Sequence, residues 1–187
     1  MKNNQPEGDW FGGENIMSEE RLKALEIAME LEEEGKKFYM DASEKATNAF
    51  AKEMFGSLAK DEDLHLEKVK AIYKKLKEER AWPKMVTAIG DVVTTKAVFP
   101  EDVKDLTEED ISESVKVLGI GMEMEEKSIL FYNELAEKAT DHFEARFYLA
   151  LAHEERGHYL SLWDSREYLE DPAGWFGMKE GFRLDAG

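Results

Sequence analysis

Two short stretches of this chain repeat one spacing of reactive side chains. "LAKDEDLHLEKV" (Leu58–Val69) holds Glu62 and His65, and "LALAHEERGHYL" (Leu149–Leu160) holds Glu155 and His158. Only four histidines occur in the 187 residues, and two of them follow a glutamate by three positions. On a helix, residues three apart point the same way and lie about 4.5 Å apart along the axis. A carboxylate and an imidazole so placed can hold one cation between them. Glutamate is so frequent here that one such pair carries no weight alone.

The weight comes from repetition. The chain matches itself at an offset of 93 residues without a gap, and 16 of 39 positions are identical between Ile27–His65 and Ile120–His158. "EKAT" recurs at Glu44–Thr47 and Glu137–Thr140, and "FY" at Phe38-Tyr39 and Phe131-Tyr132. Glu62 falls over Glu155 and His65 over His158. The chain therefore reads as two copies of one helical hairpin, neither of which can bury its apolar face alone.

Four helices must position these groups. The first is expected from about Ser18, a plausible cap, to Ala46, and the second from Asn48 to Arg80, ahead of Trp82-Pro83. The third is expected from Glu108 to Ala139, with Thr107 or Asp110 near its start. The fourth is expected from Asp141 to Leu169, with capping-box spacing between Asp141 and Glu144. Short loops join one and two, and three and four. The long segment Ala81–Leu106 joins two and three and is expected to run the length of the bundle. This is an all-α, four-helix bundle with one long crossover. Residues 1–17 read as a polar, flexible leader, 18–169 as the bundle, and 170–187 as a tail whose short helix packs on the bundle or on a second subunit.

Alternating steps of three and four trace the inward stripe of each helix. The first gives Leu25, Ala28, Glu32, Gly35, Tyr39, Ala42, Ala46, and the third gives Leu118, Gly121, Glu125, Ser128, Tyr132, Leu135, Ala139. The second carries Glu62 and His65 between Leu58 and Val69, and the fourth carries Glu155 and His158 between Leu151 and Leu162. Each stripe thus has a carboxylate at mid-length. Glu33 and Glu126 also recur in register and are the fallback for Glu32 and Glu125. Four buried carboxylates repel one another, and no Lys or Arg on the stripes answers them. Two divalent cations would, with neutral imidazoles completing the shells. Carboxylate with imidazole suits iron or manganese. A register-fixing role for the buried polar groups is the other reading.

Tyr39 and Tyr132 lie two turns beyond Glu32 and Glu125, where they either hydrogen-bond ligand carboxylates or serve as core aromatics. Gly35 and Ser128 either leave room beside the metals or ease helix packing. His142 and His153 are expected at the surface.

Composition narrows the setting. The formal net charge is −17, which disfavours nucleic acid and anionic membranes as partners. Without cysteine there is no disulfide, thiolate nucleophile or thiolate-bound metal. No apolar run reaches the length of a membrane helix, and the N-terminus lacks the apolar core of a signal peptide, so a cytoplasmic location is expected.

"ELEEEGKKFY…LAKDEDLH" and "EMEEKSILFY…LAHEERGH" resemble the two halves of a rubrerythrin domain in the ferritin-like superfamily, and "EYLEDPAGWF" is similar to rubrerythrin-like tails. The resemblance implies a non-haem di-iron centre held by Glu32, Glu62, His65, Glu125, Glu155 and His158, with Glu62 and Glu155 bridging. It implies reduction of hydrogen peroxide or oxygen, and often a homodimer. Rubrerythrins also carry a cysteine-ligated rubredoxin domain; its absence here implies an external electron donor such as a rubredoxin. They use a seventh carboxylate one turn after the third-helix ligand, where this chain has Ser128, so a six-ligand centre of ferroxidase or oxidase type is expected. Iron storage or handling is the alternative function.

Overall fold

The computed structural model describes residues 11–80, 82–84 and 106–184, with side chains from residue 19 to 178 of these. Five helices follow in order: α1 (Phe11–Lys45), α2 (Ala49–Glu79), α3 (Glu108–Lys138), α4 (His142–Glu170) and α5 (Pro172–Leu184). No strand occurs among the described residues. The path expected for the crossover falls largely at residues 85–105, outside the described residues.

The loops are short because side chains end the helices abruptly. Asn48 caps α2 by accepting from the Ala51 amide at 2.8 Å. Thr107 and Asp110 close a reciprocal capping box on α3. Asp141 caps α4, its Oδ1 accepting from the amides of Phe143 and Glu144 at 2.7 and 3.2 Å. The reciprocal half expected of Glu144 is not made: its carboxylate turns to Arg21, 2.8 Å away. Arg80 ends α2 in the left-handed region at φ 54°. At the other extreme α1 is already helical at Phe11, the first described residue, seven residues ahead of the expected cap. No proline interrupts 11–18, and an established helix extends more readily than a new one starts.

α1 packs along α2 and α3 along α4, and α1 also meets α3, which joins the two hairpins. The four inward stripes are buried or half-buried throughout. Two apolar clusters sit at opposite ends. One gathers Leu25, Val69, Leu76, Trp82, Tyr132, Phe147, Tyr148 and Leu151. The other gathers Tyr39, Phe55, Leu58, Leu118, Leu162 and Leu169. The layer between them is polar. α5 lies against α4, where Trp175 stands edge-on to Tyr168 at 5.2 Å and donates its Nε1–H to Asp164 at 3.0 Å. Among the described residues no helix is long and apolar enough to cross a membrane.

Candidate metal centre

The polar layer is made of Glu32, Glu62, His65, Glu125, Glu155 and His158, all at most 7% exposed. Glu33 and Glu126 point outward and are exposed, as are His142 and His153. Choosing between adjacent glutamates is therefore a matter of helical phase, and phase places 32 and 125 inside.

The six residues form two groups of four, Glu32–Glu62–His65–Glu155 and Glu62–Glu125–Glu155–His158, each with ligand atoms mutually within 4.8 Å. Glu62 and Glu155 belong to both. α1 and α3 contribute one unshared carboxylate each, while α2 and α4 contribute one shared carboxylate and one imidazole each.

The imidazoles present Nδ1 to the interior. His65 Nδ1 lies 3.1 Å from Glu155 Oε1 and 3.4 Å from both Glu32 Oε2 and Glu62 Oε2. His158 Nδ1 lies 3.2 Å from Glu155 Oε2, 3.4 Å from Glu62 Oε1 and 3.7 Å from Glu125 Oε1. His65 Nδ1 and Glu155 Oε1 are buried and make no hydrogen bond, although they nearly touch. Neighbouring ligands that each sit about 2.1 Å from one ion are separated by about 3 Å. His158 Nδ1 does bond Glu155 Oε2, but in each group the donors lie close enough around a common point to hold a cation.

The outward nitrogens face acids that sequence reasoning overlooked. His65 Nε2 meets the Glu154 carboxylate, which also lies 3.5 Å from Lys68 Nζ. His158 Nε2 lies 3.8 Å from Asp61 Oδ2. Asp61 and Glu154 are themselves 93 residues apart, each immediately before a shared glutamate. The repeat could have revealed them. Such carboxylates fix the tautomer, keeping Nδ1 free for a metal.

Both tyrosines bond carboxylates of this layer, and they do so across the copies. Tyr39 of α1 donates to Glu125 of α3, and Tyr132 of α3 donates to Glu32 of α1. Stripe spacing alone could not show this, because it locates a residue on its own helix and not its partner. Gly121 leaves room beside this bond: a β-carbon there would lie 3.2 Å from Leu162 Cδ1 and 3.3 Å from the Tyr39 hydroxyl.

A cavity of about 90 Å³ opens beside Glu32, Glu62 and Glu125, lined also by Gly35, Tyr39 and Ser128. A β-carbon on Gly35 would stand 3.4 Å from Glu62 Cδ, so the glycine keeps this wall clear.

Without cations the layer must be neutralised by protons. Burial, then the charge of Glu155, holds Glu32 and Glu125 well above the usual carboxylate range. Burial opposes ionising Glu62 and Glu155 as well, but their contacts with His65 and His158 outweigh it and hold both below that range. Burial would lower both histidines; the acids around them raise them instead.

A helical bundle with a buried layer of four carboxylates and two imidazoles is the architecture of ferritin-like metal proteins. The Rubrerythrin family model matches residues 23–164, and the chain belongs to that family. No curated protein and no solved structure matches the chain significantly.

Proposed function

We propose that the protein is a non-haem di-iron oxidoreductase, reducing hydrogen peroxide or oxygen with electrons from an external donor. The observation that carries this reading is the pair of four-ligand groups sharing Glu62 and Glu155 next to a small cavity. When bound, two ferrous ions supply one electron each to the oxidant, and the donor restores them.

The chain's own residues do the rest. Four carboxylates match the charge of two divalent ions. Glu154 orients the His65 imidazole, Asp61 places a negative charge near His158 Nε2, and Tyr39 and Tyr132 orient the unshared carboxylates. The two phenol protons are the nearest hydrogen-bond donors to Glu125 and Glu32. The cavity at Gly35 and Ser128 admits a small oxidant to the face bearing Glu32, Glu62 and Glu125. The apolar clusters on either side limit water.

Ser128 favours a second reading, ferroxidation for iron handling, because a hydroxyl stands where the family's extra carboxylate would be. A homodimer in the cytoplasm, drawing on a separate rubredoxin-like donor, is the setting we propose. Metal analysis with stopped-flow mixing of anaerobic ferrous protein and hydrogen peroxide tests both readings. Rapid oxidation of two irons per chain, with turnover once a donor is added, supports the oxidoreductase. Uptake of many irons per chain supports iron handling. A Glu62→Ala, Glu155→Ala variant that binds iron as the parent does would rule out this site.

A further inference from the structure

The repeat gives the molecule an internal control, and one of the differences between the copies lies in the rings stacked behind the site. In the first copy Tyr39 bonds Glu125 and stacks on Phe55, with ring centroids 6.2 Å apart and planes 16° apart. In the second copy Tyr132 bonds Glu32 and stacks on Tyr148, at 6.4 Å and 15°. Phe55 and Tyr148 are equivalent, 93 residues apart. Beyond Tyr148 stands Trp82, with ring centroids 5.6 Å apart. One copy thus ends in a ring that is hard to oxidise. The other continues through a phenol to an indole.

Packing does not explain the difference. The Tyr148 side chain is 1% exposed, and its hydroxyl has no hydrogen bond among the described residues. A buried hydroxyl without a hydrogen bond is destabilising. Phenylalanine fills the equivalent place in the first copy without that cost. A role for the phenol other than filling space is called for.

We propose that Tyr132, Tyr148 and Trp82 form a one-sided relay through which Trp82 supplies an electron to the metal centre when bound iron provides fewer than the two electrons that hydrogen peroxide takes. The relay rests on the peroxide-reducing function proposed above. With a single ferrous ion in the site, iron gives one electron and Trp82 the other. The peroxide O–O bond breaks, two protons are taken from water, and two water molecules form. The products are one ferric ion and an indole cation radical at Trp82. Each tyrosine is oxidised in passing and reduced again by the next ring. Tyr132 lends its proton to Glu32 along their hydrogen bond. Tyr148 and Glu144 both line a cavity of about 220 Å³, across which a water molecule would carry the phenol proton to the carboxylate and back. Trp82 Nε1–H has no acceptor among the described residues. The oxidising equivalent ends on a buried ring away from the ligands, and the ligands escape oxidation.

The test loads one ferrous ion per chain under anaerobic conditions, mixes in one equivalent of hydrogen peroxide, and freezes within milliseconds for electron paramagnetic resonance. A tryptophanyl radical should appear in proportion to the iron oxidised. Trp82→Phe should move the spin to tyrosine. Tyr148→Phe should abolish the tryptophanyl signal while leaving iron binding and circular dichroism unchanged. Peptide mapping after repeated peroxide should find oxygen added at Trp82 in the parent and not in Tyr148→Phe. Iron oxidised without a radical, or a tryptophanyl signal that survives Tyr148→Phe, overturns the relay and leaves the proposed function standing. Iron that peroxide fails to oxidise overturns both.

Discussion

Glu62 and Glu155 each serve both ligand groups, whereas Glu32 and Glu125 each serve one. This difference is measurable. Glu62→Ala should abolish tight binding of both ions. Glu125→Ala should remove one and leave the Glu32–Glu62–His65–Glu155 group able to hold the other. Titration with ferrous or manganous ion, read by calorimetry, separates the two outcomes. Equal losses in both variants would show that the ions are not divided as the geometry divides the ligands. Glu154 acts one layer further out, on His65 Nε2. Glu154→Ala should cost about 10–100-fold in metal affinity, the usual effect of losing a carboxylate behind a ligating histidine. His65 would keep its place on α2 but lose the contact that fixes its tautomer.

At the scale of elements, helix ends were largely legible because they are written in single side chains. Asn48 and Asp141 stand in register at the start of the second helix of each hairpin, and both cap it. Asp141 satisfies two amides where Asn48 satisfies one. Asp141→Ala should therefore cost about 1 kcal/mol or somewhat more, and Asn48→Ala less. Urea unfolding of the metal-free protein would rank them, and the reverse order would contradict the cap geometry. Arg80 offers the opposite case. Its positive φ strains an L-residue, so Arg80→Gly should raise stability by about 1 kcal/mol in the same experiment. The inward stripes were equally legible, since helical period alone separates Glu32 from exposed Glu33. What escaped lies between elements. The crossed tyrosine bonds, the Arg21–Glu144 pair and the hold of Glu154 on His65 depend on how neighbouring helices are placed, and one helix's period carries none of that. The early start of α1 escaped for another reason: nothing in 11–18 forces the backbone to stop.

The whole molecule folds around a layer that binds protons or cations, and its stability should reveal which. Without metal, the surrounding acids raise His65 and His158 against burial. A group raised in this way stabilises the fold fully below its unfolded pKa, about 6.5 for histidine, and the benefit is lost as pH climbs through the folded value. Glu32 and Glu125, raised first by burial, act in the same sense from about pH 4.3 upward. Glu62 and Glu155 act oppositely: lowered by the histidines, they stabilise above about pH 4.3 and lose that contribution as pH falls through their folded values. The metal-free protein should therefore be most stable near about pH 4.3, with a Tm that falls above it and falls more steeply once the histidine range begins at about pH 6.5. Cations reverse the trend. They replace the protons, and their affinity grows as the imidazoles give theirs up. The gap in Tm between metal-loaded and metal-free protein should widen from about pH 6 to about pH 8, as scanning calorimetry with and without a chelator would read. A gap that stayed constant or narrowed would mean that the cations bind elsewhere and that the buried layer keeps its protons.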